Sequence, residues 1–223
     1  MKDAERTLVL IGEIFDYQAI EKNNIDILSD ILAGANSKEE LFFQMKQYAG
    51  SYVVIYMDEK DGIIVPDARA TREVYYCRNA NQIVCGSQPN LVAEFSKPKL
   101  HITKNDELLD FYKNDLWDSR WVGDETCYEG IKHLLPNHYL DIRLRSVERF
   151  WPDRPIPNLP LEDAVATGCQ ILKGTMSAIV QRYSPIMAIT AGTDSRVLLA
   201  ASKGIRDKIH YFINDIGLGH NHP

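Results

Sequence analysis

The sequence predicts an α+β N-terminal domain followed by the beginning of an α/β domain with a parallel sheet. Short strand-like runs separated by turn residues recur through residues 1–150, which is typical of antiparallel sheets. A proline-rich segment, residues 151–160, then excludes a helix interior or a central strand. After it, a helical pattern is followed by strand, helix and strand, the order of a parallel βαβ unit.

The N-terminal domain is predicted from five strand-like runs and two helices. The strand-like runs cover residues 7–15, 50–58, 62–67, 74–79 and 82–87. Between the first two runs, apolar residues recur at three- and four-residue spacing, which favours two helices interrupted near residues 34–37. Turn residues separate the last four runs, as in an antiparallel meander. Strands followed by helices in this order indicate an α+β domain.

The remaining chain is predicted to be an extended linker, residues 151–160, and a second domain, residues 161–223. Each proline of the linker fixes φ and removes an N–H donor. Beyond it we expect a helix opening at Pro160, a strand over residues 186–190, a helix over 195–203 and a strand over 208–214. In such a sheet the ligand site lies at the carboxyl ends of the strands.

Composition excludes several classes of protein. With 223 residues, 45% of them hydrophobic, the chain can bury one sizeable core or two small ones. A net charge of -6 and no basic cluster argue against a nucleic-acid partner. No apolar run reaches the roughly 18 residues that span a bilayer, and no signal peptide is evident, so we predict a soluble, cytoplasmic protein without a membrane partner. The cysteines are widely spaced and form no CxxC pair, so they are interpreted as buried, reduced thiols rather than disulfides or metal ligands: Cys77, Cys85, Cys127 and Cys169.

The stretch PIMAITAGTDSRVLLAAS, residues 185–202, is the candidate functional motif. A helix that begins directly after a strand presents unpaired N–H groups and a positive dipole end. Ala191 and Gly192 leave room for an anion to approach the backbone, and Thr190 and Ser195 offer hydroxyl groups. These features predict a phosphate-binding turn.

Asp194 has two interpretations on local physics. A carboxylate repels a phosphate unless Mg²⁺ bridges them, so Asp194 is either a Mg²⁺ ligand or a helix N-cap. Competing motifs fail, since the sequence has no GxxxxGK[ST], no GxGxxG after a strand, no GxSxG and no HExxH. The terminal GHNHP, with His220 and His222, is interpreted as a loop rather than as a metal or nuclease site.

The segment ITAGTDSR resembles the SGGxDS pyrophosphate loop of ATP pyrophosphatases, and the chain resembles one branch of them, the asparagine synthetases. Six segments support this resemblance in the same order as in that family. They are IGEIFDY (11–17) for NGEIYN, GSYVVIYMD (50–58) for GxFAFALYD, PDARATREVYY (66–76) for RDxFGxxPLYY, VCGSQPNLV (84–92) for FASExKAL, YEGIKHLLPNHYLDI (128–142) for GIxxLPPGHxL, and RFW (149–151) for YW. The resemblance implies an N-terminal amidotransferase-like domain before an ATP-binding synthetase domain.

Several departures from the family pattern imply that the amidotransferase half is degenerate and has no glutaminase activity. The family's nucleophilic cysteine after the initiator Met is missing, because the chain begins MKD and its first cysteine is Cys77. The resemblance begins at the NGEIYN segment, so the family's first strands and their substrate-binding arginine have no counterpart in it. Ile11 replaces the asparagine of NGEIYN. Ala70 and Glu73 replace a glycine and a proline, while Asp67 is kept. Asn24 and Asp26 stand where the family has an acidic glutamine-binding stretch. Relatives that make β-lactams or lasso peptides have also lost the nucleophile and use an amine inside the substrate.

The resemblance also implies ATP and Mg²⁺ as cofactors. Backbone groups of Ile189 and Ile213 would border the adenosine. The pyrophosphate would be held by the turn, Thr190, Ala191, Gly192, Thr193, Asp194 and Ser195, with Asp194 directed towards Mg²⁺. Arg196 replaces a small hydroxyl residue and is expected to face solvent. The implied reaction is attack of a small-molecule carboxylate on the α-phosphate of ATP, which gives an acyl-adenylate and releases pyrophosphate. An amine or ammonia then displaces AMP to form an amide.

Two hypotheses stay open from the sequence. The first is an amide-forming ligase of the asparagine synthetase type, the activity of asparagine biosynthesis. The second is a non-catalytic nucleotide-binding or protein-interaction module on the same scaffold. The family's second acidic motif, GDGxDE, does not occur before Pro223, and Asp207 and Asp215 are weak substitutes, so we expect these 223 residues alone to be inactive. The oligomeric state is left open, with a homodimer among the options.

Overall fold

The computed structural model describes residues 1–2, 5–79, 81–96, 102–114 and 123–213. These residues form two compact units. Unit 1 comprises Met1–Ile14, Leu28–Lys46 and Gly50–Ile156. Unit 2 comprises Phe15–Ile27, Gln47–Ala49 and the chain from Pro157 onwards. Over the described ranges, a helix with both the length and the apolar character to cross a membrane does not occur.

The described residues contain ten strands, six α-helices and one 3₁₀ segment. The strands are β1 (Thr7–Asp16), β2 (Tyr48–Met57), β3 (Gly62–Pro66), β4 (Tyr75–Arg78), β5 (Ile83–Gly86), β6 (Ile131–His133), β7 (His138–Asp141), β8 (Ser146–Arg149), β9 (Ile186–Ala188) and β10 (His210–Phe212). The helices are α1 (Asn24–Gly34), α2 (Lys38–Met45), α3 (Pro89–Ser96), α4 (Asp106–Asn114), α5 (Leu161–Arg182) and α6 (Thr193–Ala201), with the 3₁₀ segment at Lys203–Lys208.

Two sheets with antiparallel pairing form the core of unit 1. One has five strands in the order β1-β2-β3-β7-β8, and the other has three in the order β5-β4-β6. Antiparallel pairs join β2, β3, β7 and β8, and also β4 to both of its neighbours. Apolar residues of both sheets pack in one buried cluster, which contains Val53 and Ile64 from the larger sheet and Tyr76 from the smaller. The predicted antiparallel pairing is therefore confirmed, but the predicted four-strand meander is wrong, because β2 and β3 lie in one sheet and β4 and β5 in the other.

A buried carboxylate fixes the turn that follows β3. Asp67 is 3% exposed and accepts hydrogen bonds from the backbone N–H groups of Tyr52, Arg69, Thr71 and Arg72, at 3.0–3.4 Å. The hydroxyl of Thr71 donates to the same carboxylate at 2.7 Å. A charged acceptor that satisfies several N–H groups holds a turn in one conformation. The backbone leading to β4 is consequently well defined.

Unit 2 is built on the long helix α5 and a two-stranded parallel sheet. Strands β9 and β10 pair in parallel, with His210 opposite Ile186. An early segment of the chain packs against α5, where a Cβ atom on Gly174 would lie 2.1 Å from the carbonyl oxygen of Tyr17. At the end of α5, the Arg182 guanidinium donates to Asn24 Oδ1 at 2.7 Å and lies over the ring of Phe15, 4.6 Å from its centroid. These contacts explain why residues 15–27 belong to this unit.

Several expectations need correction in detail. The helix predicted over residues 195–203 begins at Thr193 and ends at Ala201, and the strand predicted over 208–214 is confined to His210–Phe212. Residues 151–160 are exposed and lack helix and strand, as expected for the linker. The domain boundaries stay a prediction, and so does the assignment of residues 161–223 to an ATP-pyrophosphatase domain.

Candidate functional site

The candidate phosphate-binding turn lies between β9 and α6. Strand β9 ends at Ala188, and α6 begins at Thr193 with Gly192 as its N-cap residue. No side chain caps this end of the helix by a hydrogen bond, so the first N–H groups of α6 are left for another acceptor such as an anion. The φ of Gly192 is -69°, which any residue adopts. A glycine is favoured there by space, since a Cβ atom would lie 3.2 Å from Thr190 Oγ1.

The two hydroxyl groups of the turn bond to each other and to the backbone. Thr190 Oγ1 and Ser195 Oγ are 3.0 Å apart. Ser195 Oγ lies 2.9 Å from the Thr190 carbonyl oxygen and accepts from the Thr190 N–H at 3.1 Å. The Gly192 N–H donates to Thr190 Oγ1 at 3.2 Å. The turn is therefore organised by its own side chains, with Thr190 exposed and Ser195 half-buried.

Asp194 is the second residue of α6 and is exposed. Its position corrects the helix-cap alternative, because Gly192 is the N-cap and Asp194 makes no capping hydrogen bond. A carboxylate in the first turn still interacts favourably with the helix dipole. Arg196 is exposed as expected, although its Nε also donates to the Gly192 carbonyl oxygen at 3.3 Å.

The structure brings the two predicted adenosine-bordering residues to the same sheet edge. Ile189 follows β9 and donates its N–H to the Phe212 carbonyl oxygen at 2.8 Å, and Ile213 directly follows β10. The side chain of Ile213 is 75% exposed. Ala191 and Thr193 are exposed in the turn between them. The carboxyl ends of both parallel strands thus meet beside residues 190–195, the edge at which open parallel sheets bind their ligands.

The acidic residues do not assemble into a metal centre within the described residues. No group of three or more His, Cys, Asp and Glu side chains in those ranges is placed to hold a metal ion. Asp207 lies in the 3₁₀ segment before β10, at the opposite end of that strand from Ile213. Asp215, His220 and His222 lie outside the described residues. Mg²⁺ binding by Asp194 through ATP stays a prediction.

Asn24 and Asp26, which stand where the family has its glutamine-binding stretch, make hydrogen bonds within the protein. Asn24 accepts from Arg182, and Asp26 Oδ2 accepts from the Asn23 N–H at 2.9 Å at the start of α1. Of the four cysteines interpreted as buried thiols, Cys77 is buried and Cys127 half-buried, whereas Cys85 and Cys169 are exposed, so the predicted burial is wrong for these two. Burial raises the pKa of the thiols of Cys77, Cys85 and Cys127, which lowers their nucleophilicity near neutral pH.

Sequence reasoning missed a cavity of about 460 Å³ in unit 1. Its lining comes from β1, β2, β3 and β5 and from the segment before β4: Ile11, Val53, Ile55, Ile64, Thr71, Arg72, Glu73, Val74, Cys85, Gly86 and Ser87. Each strand alone predicts a buried face, and only their arrangement creates the open space.

Comparison with known proteins gives a limited result. No family model matches the sequence. A search of curated proteins also finds no match. Glutamine phosphoribosylpyrophosphate amidotransferase from B. subtilis, complexed with ADP and GMP, is similar with a TM-score of 0.44 and 12% identity, covering 100% of this chain and 50% of that one. A structure titled as the allosteric regulatory enzyme of purine biosynthesis gives the same TM-score and identity, with 100% and 49% coverage. The chain spans about half the length of these two proteins.

Proposed function

We propose that the chain is the ATP-binding part of an AMP-forming amide ligase, of the asparagine synthetase type and without glutaminase activity, on an amidotransferase-like scaffold. The observation that carries the proposal is the strand–turn–helix junction at residues 188–193, because the motif ITAGTDSR lies across it. A motif of this kind is informative only when it follows a strand and opens a helix. The antiparallel sheets of unit 1 support the scaffold part of the proposal.

The residues of the turn have separate roles in this proposal. The uncapped N-terminus of α6 attracts the pyrophosphate through its N–H groups and dipole. Thr190 and Ser195 hold the turn open towards the anion through their mutual hydrogen bond. Asp194, with an exposed carboxylate, would share Mg²⁺ with the phosphates. A substrate carboxylate would attack the α-phosphate of bound ATP and release pyrophosphate, and an amine would then displace AMP from the acyl-adenylate to form the amide.

Calorimetric titration with ATP, with and without Mg²⁺, tests the nucleotide site. We expect wild-type binding with a Kd of about 1 mM. Gly192→Val should weaken it at least about tenfold, because a branched side chain there meets Thr190 Oγ1 and fills the approach to the backbone. Asp194→Asn should weaken binding only when Mg²⁺ is present. Asp207→Asn is the matched control, and unchanged affinity in Gly192→Val rejects the site.

A non-catalytic nucleotide-binding or protein-interaction module is the second candidate. The internal hydrogen bonds of the Thr190 and Ser195 hydroxyls favour it, because those groups are already satisfied without a ligand. Isotope exchange between pyrophosphate and ATP, measured with a panel of carboxylates, tests for the ligase. Carboxylate-dependent exchange that Gly192→Val abolishes supports the ligase. Because residues 1–223 alone are expected to be inactive, absence of exchange does not separate the two; ATP binding that is independent of Mg²⁺ and unchanged in Asp194→Asn supports the module.

A further inference from the structure

A second, smaller cavity of unit 1 combines charged, polar and apolar residues in its lining. Its volume is about 280 Å³, and the lining includes Tyr76, Arg78, Asp124, His138 and Val147. This volume is just below the roughly 300–1,000 Å³ of pockets that take drug-sized ligands. The smaller cavity therefore suits a ligand of few heavy atoms.

Strands of both sheets turn side chains into the smaller cavity. Tyr76 of β4 belongs to the buried cluster between the sheets, together with Leu140 of β7, and Val147 of β8 packs against that cluster. Side chains two residues apart lie on the same face of a strand. Arg78 is therefore on the Tyr76 face of β4, and His138 is on the Leu140 face of β7. The lining residues of these strands consequently face the space between the sheets.

The Arg78 side chain joins the two sheets at the smaller cavity. Its Nη1 donates at 2.6 Å to the carbonyl oxygen of Arg145, in the turn between β7 and β8. The residue is exposed, so a ligand can reach it from solvent. Within the described ranges this is the single hydrogen bond of the guanidinium, and it has no ion pair there. A guanidinium anchored in this way keeps N–H groups for an oxyanion.

The Tyr76 hydroxyl has no partner although its side chain is buried. The residue is 5% exposed, and its hydroxyl makes no hydrogen bond to any residue that the structure describes. A buried tyrosine hydroxyl ordinarily has a partner. Burial and then the Asp124 carboxylate raise the pKa of Tyr76, while the positive charges of Arg78 and Lys132 lower it. The hydroxyl thus lies among the charged groups of the smaller cavity.

The Asp124 carboxylate at the smaller cavity is already paired. Lys132 lies opposite Tyr76 in the pairing of β4 with β6, and its Nζ is 3.4 Å from Asp124 Oδ1 and also pairs with Glu125. This ammonium group offsets part of the repulsion that Asp124 exerts on an anion. Arg78 has no carboxylate partner in the described part of the chain. It is therefore the charge that a ligand can compensate.

We propose that the smaller cavity binds a small oxyanion, which is a phosphate or a carboxylate group. The Arg78 guanidinium and the Tyr76 hydroxyl donate to its oxygens, and the paired Asp124 limits its affinity. His138 forms a wall whose orientation is fixed, because its Nδ1 lies 2.9 Å from the Pro136 carbonyl oxygen. The site lies in unit 1 and does not depend on the nucleotide turn in unit 2.

Titration of the nitrogen-labelled chain with inorganic phosphate, followed by heteronuclear NMR, tests the site. Chloride keeps the ionic strength constant, so that screening does not change during the titration. We expect saturable shifts of the Arg78 Nε–H and of the Tyr76 and Val147 amides, with one Kd of about 1 mM. Acetate in a parallel titration identifies the source, because the tighter of the two anions carries the recognised group. Gly192→Val should leave these shifts unchanged, which separates this site from the nucleotide turn.

Three substitutions test the contacts separately. Arg78→Gln should raise the Kd at least about tenfold, because it removes charge-assisted hydrogen bonds. Tyr76→Phe should raise the Kd about threefold to tenfold, the effect of one neutral hydrogen bond. Asp124→Asn should lower the Kd about threefold, because it removes the repelling carboxylate. Arg69→Gln, which changes an exposed arginine outside the smaller cavity, is the matched control and should leave the Kd unchanged.

Specific outcomes overturn the proposal. Shifts that stay linear with both anions up to about 20 mM, twenty times the expected Kd, show that no site is filled. An unchanged Kd in an Arg78→Gln variant with an otherwise wild-type spectrum also rejects it. If that variant does not fold, Tyr76→Phe and Asp124→Asn decide. A general disturbance of the fold weakens binding in both, whereas the proposal requires opposite changes.

Discussion

Two glycines of α5 provide a matched test of how unit 2 is packed. A Cβ atom on Gly168 meets nothing within 4 Å, whereas one on Gly174 would lie 2.1 Å from the Tyr17 carbonyl oxygen and 2.9 Å from its carbon. In a helix interior, alanine is favoured over glycine by about 1 kcal/mol. Gly168→Ala should therefore raise the free energy of unfolding by about 1 kcal/mol. Gly174→Ala has the same helix gain but forces backbone apart, and overpacking costs about 1–3 kcal/mol or more.

The expected result is opposite signs for two identical substitutions in one helix. We predict that the two variants differ in the free energy of unfolding by the overpacking cost, about 1–3 kcal/mol or more, measured by urea denaturation with far-UV circular dichroism. Hydrogen exchange of the Tyr17 and Gln18 amides should also speed up in Gly174→Ala only, since that contact is lost. If both variants are stabilised equally, residues 15–27 do not pack on α5 as described.

Three further predictions concern unit 1. Burial lowers the pKa of His133 below its ordinary value of 6.5. The unfolded state therefore binds a proton at a higher pH than the folded state does. The stability contributed by the neutral imidazole is complete above about pH 6.5 and is lost as the pH falls towards the lowered pKa. As the pH is lowered from about 8 to 5, the urea midpoint of His133→Asn should fall less steeply than that of the wild type. An equal slope in the two proteins contradicts a lowered pKa of His133. Gly50→Ala should lower the free energy of unfolding by about 3 kcal/mol or more, because the φ of Gly50 is +142° and a Cβ atom would lie 2.1 Å from the Glu13 carbonyl oxygen. A thermal unfolding midpoint equal to that of the wild type would refute this. Asp67→Asn should cost about 2–3 kcal/mol, because an amide nitrogen then faces N–H donors, and chemical denaturation within about 1 kcal/mol of wild type argues against the network.

The sequence predicted elements well where the pattern was strong and local. Strands β1, β2 and β3 match the predicted runs within about two residues, since their apolar and β-branched residues alternate or cluster in short segments. Helix α3 was missed although Pro89 at its first position was an available signal. The short strands β6 and β8 have only three and four residues, too few for a periodic pattern.

The candidate site was predicted in position but not in its internal bonding. The strand–turn–helix junction follows from the residue types, and the structure has it at the expected place. The pairing of Thr190 with Ser195 depends on side-chain rotamers that a sequence does not specify. The cavity in unit 1 depends on how two sheets separate at one end, and no single segment encodes that distance.

The interrupted path of the chain through unit 2 has a consequence for folding during synthesis. Asn24 and its partner Arg182 are 158 residues apart in sequence. At about 5–20 residues per second, a ribosome needs roughly 8–30 s to make the intervening chain. Throughout that interval Phe15, whose ring later lies under the Arg182 guanidinium, has emerged without its partner. Slower translation of α5 should therefore lengthen the exposure of this segment to chaperones, a dependence that ribosome-bound nascent chains can reveal.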